Sequence, residues 1–486
     1  MFMTLRIWKK RLSRVISLIF VGGFLVVSTQ AHAQLDRAWE LLRTDNRTTQ
    51  NYPGIIEILV KQKLYFTAVP YIKEYLTRNE GRTDQNLDLL IDKVVSVVGV
   101  RQFEVMPERF LERSAAPTLQ YVLAKKYFRA QQYDRARQAL NRTIPSTHPV
   151  KPFALLLEGS IASIQGRYGN AIQAYRECIS RSTREISRSN EYHRQRQLHI
   201  NRDNCIVGIP RAHFGAGNYS QATQAYLDLN KSSYIWPEIL FEEAWSSFYE
   251  RDYNRTLGKL VTYKAPILDF IFNPEIEVLN ALTYLEMCLW GDAQKVADDF
   301  YDDYERETEQ IQRFLNEHGR DYKYFYLLSQ SVLEGRQRGG QVLNRMLRTI
   351  VRDPAFVELY ESFQAGRSEL EQIQNIRNER FRQILGINLR DALLLQRDLI
   401  GAYVRANLDM YTQQAKKALV DMSYIKLEVL SRRRAELYDF SITEERSRGD
   451  ISNVRRSSKQ YFWTFNGEFW ADELGDYVFS LQSECR

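Results

Sequence analysis

By residue type, the groups of this chain most able to react are its four cysteines, Cys178, Cys205, Cys288 and Cys485. An even number suits paired disulfides in an oxidising compartment. Cys178 and Cys205 bracket a charged stretch, which leaves two readings open. They could form a disulfide at the base of two antiparallel helices, worth about 3–4 kcal/mol in the chain-entropy model, or remain two separately buried thiols. Cys288 and Cys485 lie far apart in sequence, and no spacing argument pairs them. The histidines after the N-terminal segment are His148, His193, His199, His213 and His318. None forms a His-x-x-x-His pair or joins a Cys-x-x-Cys pattern, so no metal is expected. There is no phosphate-cradling Gly-rich loop ending in Gly-Lys-Ser/Thr and no Gly-x-Ser-x-Gly nucleophile turn. Glu468, Asp472 and Glu473 stand among aromatics, as in a sugar-cleaving carboxylate pair, but such a pair must flank a cleft. The sequence is therefore read as non-catalytic and without a cofactor.

The first residues read as an address. Arg6, Lys9, Lys10, Arg11 and Arg14 form a basic start without an acidic residue, Val15 to Val27 is apolar, and Ala31-His32-Ala33 has the small-x-small form of a cleavage site. That order is a secretory signal peptide over residues 1–33, cut after Ala33. The apolar run falls short of the ~20 residues a membrane span needs. Removing the segment takes five positive charges and no negative ones, so the formal net charge falls from +7 to +2. The basic balance is thus largely an export signal, and nucleic acid is not an expected partner. An exported periplasmic or outer-membrane-associated chain is expected, with peripheral membrane association compatible.

What positions these residues is a repeat. An aromatic, a small residue three later and an apolar residue four beyond recur as Tyr133, Ala136, Leu140; Tyr168, Ala171, Tyr175; Tyr219, Ala222, Tyr226; Tyr253, Thr256, Leu260; and Trp290, Ala293, Ala297. The lead aromatics are 35, 51, 34 and 37 residues apart, and an earlier copy, Tyr65, Ala68, Ile72, lies 68 residues before Tyr133. Nine residues before each of the five lead aromatics sits Ala124, Gly159, Pro210, Ala244 or Ala281. Small residues let two helices of a hairpin approach, and the aromatic fills the wedge after the turn. One hairpin cannot bury its apolar face, so it must stack on the next. The pattern resembles the tetratricopeptide repeat. That resemblance implies an all-α superhelix of helical hairpins over 34–305, whose grooves hold protein or peptide partners.

One interval exceeds the period by half a repeat. The extra residues fall within the basic insertion 180–204, which includes Arg184, Arg188, Arg194 and Arg196. Two readings stand: a solvated extension of two helices, or a partner-binding projection.

Residues 306–450 read as long helices. Val404, Leu408, Tyr411, Ala415, Ala418, Met422, Ile425 and Val429 form a heptad stripe. It predicts packing either on Gln364 to Leu385 within the chain or on a second copy as a coiled coil, so the oligomeric state stays open. Residues 451–486 change character. Asn466-Gly467 between aromatic runs is a β-hairpin signal. Trp463, Phe465 and Trp470 could cap the helical array, dock a partner or stack on glycan.

The run from Trp463 to Gly475, with Phe241-Glu242-Glu243-Ala244-Trp245 and Asn273-Pro274-Glu275, resembles large exported tetratricopeptide proteins of gliding and predatory deltaproteobacterial type. That resemblance implies a cell-envelope assembly or gliding-motility role, with envelope proteins as partners and no catalytic residues to carry over. The alternative is a glycan- or peptidoglycan-associated protein using Trp463 and Trp470.

Overall fold

The computed structural model describes residues 33–485 apart from 46–47, 142–143, 338, 437–453 and 455. The expected leader lies outside the described residues except for Ala33. Among the described residues the chain is all-α, a helical-repeat array with one small two-stranded sheet near its end. It divides into two compact units, one formed by residues 1–145 and 358–397 and the other by 146–357 and 398–486.

The first unit begins with α1 (33–44), α2 (Tyr52–Lys61) and α3 (Tyr65–Arg78). It continues with α4 (Gln85–Val98), two short helices α5 (Arg101–Glu104) and α6 (Glu108–Arg113), α7 (Pro117–Arg129) and α8 (Tyr133–Asn141). Later in the chain it takes most of α19 (Pro354–Gln374) and the start of the 58-residue α20 (Glu379–Glu436). Its core is tied by buried polar groups that reach back over long sequence distances. Gln102 Nε2 donates to Ala392 O and Gln396 Oε1, both at 3.0 Å, while Gln396 Nε2 donates to Leu359 O at 2.9 Å. Glu369 from α19 caps the start of α3, accepting from Phe66 N at 2.7 Å, Thr67 N at 3.0 Å and Thr67 Oγ1 at 2.7 Å.

Burial pushes the Glu369 carboxyl up from its ordinary 4.5 to about 7, against the pull of those donors. A folded-state value above the unfolded one makes its contribution full below the ordinary carboxylate range, and that contribution is lost as pH rises through about 7. The urea midpoint of the chain is therefore expected to fall between pH 5 and pH 8. Glu369→Gln, which does not titrate, should flatten that slope; an unchanged slope in equilibrium melts would remove Glu369 as its cause.

The second unit contains α9 (Lys151–Ile164), α10 (Tyr168–Arg188), α11 (Tyr192–Gly215), α12 (Tyr219–Tyr226), α13 (Trp236–Tyr249) and α14 (Tyr253–Val261). After α15 (Glu275–Glu286) come α16 (Trp290–His318), α17 (Tyr322–Leu333) and α18 (Gln341–Arg352), with β1 (Trp463–Thr464) and β2 (Tyr477–Val478) near the end.

Every lead aromatic, from Tyr65 to Trp290, is the first residue of the second helix of a hairpin. The small residues behind them, Ala68, Ala136, Ala171, Ala222, Thr256 and Ala293, are fully buried. Two residues before each aromatic, the backbone adopts positive φ: Lys63, Gln131, Gly166, Gly217, Arg251 and Cys288. The next residue's N–H then reaches five residues back, as in Gln132 N to Tyr127 O at 2.9 Å, Arg167 N to Ala162 O at 2.8 Å and Leu289 N to Tyr284 O at 2.9 Å. This is one Schellman turn used six times, and it satisfies the last carbonyls of each first helix. A residue with a Cβ pays roughly 1–2 kcal/mol for that φ, while glycine pays only chain entropy. Gln131→Gly is thus expected to stabilise the chain by about 0.5–1 kcal/mol, read as a rise in the urea midpoint. A fall would mean that Gln131 makes a stabilising contact of its own.

The Tyr175 ring shows how tightly the repeats interlock. A Cβ built on Gly159 of α9 would lie 2.5 Å from it, and one on Gly208 of α11 would lie 2.6 Å away. Gly208→Ala is expected to cost about 1–3 kcal/mol by overpacking, against the usual gain of alanine over glycine in a helix. A neutral result in a thermal melt would show that Tyr175 can move aside.

Three expectations need correction. The heptad stripe of α20 is buried within the chain, but its partner is α16, not Gln364 to Leu385. Tyr301 Oη donates to Leu419 O at 2.7 Å, and Lys426 pairs with Asp298 at 2.6 Å. Gln364 to Leu385 spans the end of α19 and the start of α20, in the other unit. The stripe is thus occupied as core, which leaves it no free seam for a coiled-coil dimer. Nor does the Asn466-Gly467 signal make a β-hairpin: β1 and β2 run parallel, with Trp463 opposite Tyr477 and Thr464 opposite Val478. Gly467 keeps positive φ, but tertiary docking of the flanking aromatics decides the pairing.

Candidate functional site

The face of α13–α15 holds the chain's own C-terminal segment. Two apolar clusters seat it. Ala265, Leu474 and Tyr477 pack with Trp236, Phe465 and Phe469, while Leu257, Met287 and Leu289 pack with Phe479 and Leu481. Between the clusters the two backbones nearly touch. A Cβ on Gly258 would lie 1.7 Å from Tyr477 O, so only glycine fits this place in α14. A glycine inside a helix costs about 0.5–1 kcal/mol, and here the close approach of a second backbone accounts for it.

Side chains of the hairpins read the segment through its backbone. Asn254 brackets one residue, with Leu481 N donating to Asn254 Oδ1 at 2.9 Å and Asn254 Nδ2 donating to Leu481 O at 3.0 Å. Phe479 N donates to Asn254 O at 3.1 Å, and Gly475 N donates to Thr262 Oγ1 at 3.2 Å. Lys231 Nζ donates to Leu474 O at 3.0 Å and pairs with Asp476 at 2.7 Å. Beneath the segment, Lys259 donates to Glu243 and, at 3.3 Å, to Gly475 O. Both charges of that pair are buried. The Tyr477 phenol, raised above its ordinary value first by burial, accepts from Trp470 N at 2.7 Å. The last anchor is covalent: Cys288, at the positive-φ turn position between α15 and α16, is bonded to Cys485.

The site residues named from sequence lie at two places. In the basic insertion, α10 and α11 simply run on past their neighbours. Arg194 pairs with Glu185 at 3.1 Å and stacks over the Phe153 ring at 4.9 Å. Arg196 is half-buried, whereas Arg184 and Arg188 are exposed. Below them Cys178 is bonded to Cys205 inside a fully buried cluster with Leu155 and Tyr175. At the C-terminal segment, Trp463 (47 % exposed) and Trp470 (58 %) face outward. Phe465 does not; its ring packs on Phe469, Tyr477 and Phe479 at 5.2–5.6 Å. That spends the Phe465 face internally, so it is not offered to a partner. Glu468 and Asp472 are exposed.

The residues that hold the segment, Asn254, Gly258, Lys259, Thr262 and Lys231, are absent from the sequence-derived set. One signal was present: five residues after the lead aromatic, the repeats led by Tyr133, Tyr168, Tyr219 and Trp290 carry Gln138, Gln173, Gln224 and Lys295, whereas the one led by Tyr253 carries Gly258. Among the described residues no group of three or more His, Cys, Asp or Glu side chains could hold a metal ion, and no helix is long and apolar enough to cross a membrane. No family model matches the chain, and no curated protein matches it.

Proposed function

We propose that this protein is a non-catalytic scaffold of the cell envelope that binds protein segments along the faces of its helical hairpins. The observation that carries this reading is the seating of residues 474–485 in an extended path on α13–α15, held mainly through backbone hydrogen bonds. Recognition of that kind accepts a peptide by its main chain and selects it by pockets for alternate side chains. Export is supported by the basic-apolar-small order of residues 1–33, and by the pairing of all four cysteines, since disulfides persist in oxidising compartments. A role in gliding motility or envelope assembly rests on the resemblance of the Trp463–Gly475 run. Crosslinking in intact cells followed by pull-down should recover a defined set of envelope proteins. Recovery of none above background would reject the scaffold reading.

The outward faces of Trp463 and Trp470 favour a second reading, association with peptidoglycan. Tryptophan is enriched at interfaces because its ring offers a large apolar surface with a polar N–H edge. Co-sedimentation with purified sacculi tests it. Binding that survives Trp463→Ala and Trp470→Ala would exclude these rings.

A further inference from the structure

We propose that the Cys288–Cys485 disulfide is a redox lock on the α13–α15 groove, and that reduction opens the groove to the C-terminal segment of a second copy. This rests on the reading of that face as a segment-binding groove.

The two disulfides differ in access. Cys178 and Cys205 are both fully buried among apolar side chains. Cys485 is exposed and Cys288 half-buried, beside the exposed Glu484 and Ser483. Exposed disulfides are the ones open to thiol exchange, because the attacking thiolate needs a clear line to sulfur. A dithiol reductant therefore meets the terminal bond first. Its thiolate attacks Cys485 Sγ, the bond to Cys288 breaks, and the Cys288 thiolate takes up a proton. The reductant's second thiolate then attacks the mixed disulfide and releases Cys485, leaving two thiols on the chain and one disulfide on the reductant.

What reduction frees is the end of a segment otherwise held by reversible contacts. The groove's selectivity is written in its occupant, Gly475-Asp476-Tyr477-Val478-Phe479-Ser480-Leu481. Gly475 is required because a Cβ there would lie 2.9 Å from both Leu240 and Trp236. Asp476 meets Lys231, and Tyr477 and Val478 are buried. A second copy carries this pattern by identity, so reciprocal exchange remakes every contact, and exchange of an identical element is a low-cost route to a dimer. The segment is an intramolecular ligand in either state, but the closed disulfide tethers it at a second point and raises its effective concentration at the groove, so a second segment is excluded more strongly.

The test uses the full chain, oxidised, mildly reduced, and as Cys485→Ser, with a labelled synthetic peptide of residues 473–482 as the probe. Alkylation mapping of the reduced sample should label Cys288 and Cys485 before Cys178 and Cys205. The peptide should bind the reduced chain and Cys485→Ser at least about tenfold more tightly than the oxidised chain, and light scattering should show dimer growing with concentration only in those two. Equal binding to all three states would overturn the lock while leaving the groove reading intact. Binding to none, with circular dichroism unchanged, would overturn both. Peptide binding without any dimer would reject the second copy as occupant.

Discussion

Glu243→Ala should destabilise the chain by about 3–5 kcal/mol, among the largest effects of any single substitution in it. The carboxylate it removes is the charged partner of Lys259, and both side chains are almost wholly withdrawn from water. The substitution leaves an ammonium buried with only the Gly475 carbonyl to receive it. A buried charge without its counter-charge carries the full desolvation cost, whereas removing both charges together is often neutral or better. Glu243→Leu combined with Lys259→Met is therefore expected to recover most of the loss. The measurement is a double-mutant cycle in urea, with a free energy of unfolding for each corner. Additive losses, with no recovery in the double variant, would show that the two groups do not act as a pair. Because Lys259 also holds Gly475 O, the single variants should in addition loosen the C-terminal segment, seen as faster amide exchange at residues 474–481.

Replacing Cys178 and Cys205 together by alanine should cost about 3–4 kcal/mol. The bond closes a stretch with a sequence separation of 27 and ties α10 to α11 where both run on into the basic insertion. In the chain-entropy model a loop of this size contributes about 3.5 kcal/mol through the unfolded state. Alanine in place of two buried sulfurs adds a packing loss beside Tyr175, whose ring already fits between Gly159 and Gly208. The comparison is the urea midpoint of the oxidised chain against the double variant, with Cys485→Ser as a control for the exposed bond. A loss under 1 kcal/mol would mean that the antiparallel helices hold each other without the cross-link.

Much of the fold was legible along the chain because its physics is local. The repeat of aromatic and small residues reports a hairpin that closes on itself within one unit, so Tyr133, Tyr168, Tyr219, Tyr253 and Trp290 marked the start of each second helix. The charge pattern of 180–204 likewise translated into two prolonged helices. The turn two residues before each aromatic was legible at Gly166 and Gly217 alone, because the other four positive-φ positions lack the glycine that usually announces it.

What lay beyond the sequence depended on partners distant along the chain. The heptad stripe of α20 said that a helix would cover it, but a stripe of apolar residues fits any complementary surface. Only the three-dimensional packing chose α16 over Gln364 to Leu385. The Asn466-Gly467 turn had a local preference for a hairpin, and it was overridden where Phe465, Phe469 and Tyr477 pack in one apolar cluster with Trp236 and Ala265 of the repeats. The cysteines show the division most plainly. Their number and the export signal pointed to pairing, yet bond formation requires two Cα atoms within about 7 Å, a distance set by the whole fold. The pairing of Cys288 with Cys485, across 197 residues at a Cα separation of 5.1 Å, exists because the C-terminal segment follows the groove of α13–α15 to the turn that presents Cys288. Residue types and spacing thus determined the repeating hairpin and the chemistry at hand. The tertiary structure decided which surfaces meet, because contact between remote segments depends on shape and burial that no local pattern encodes.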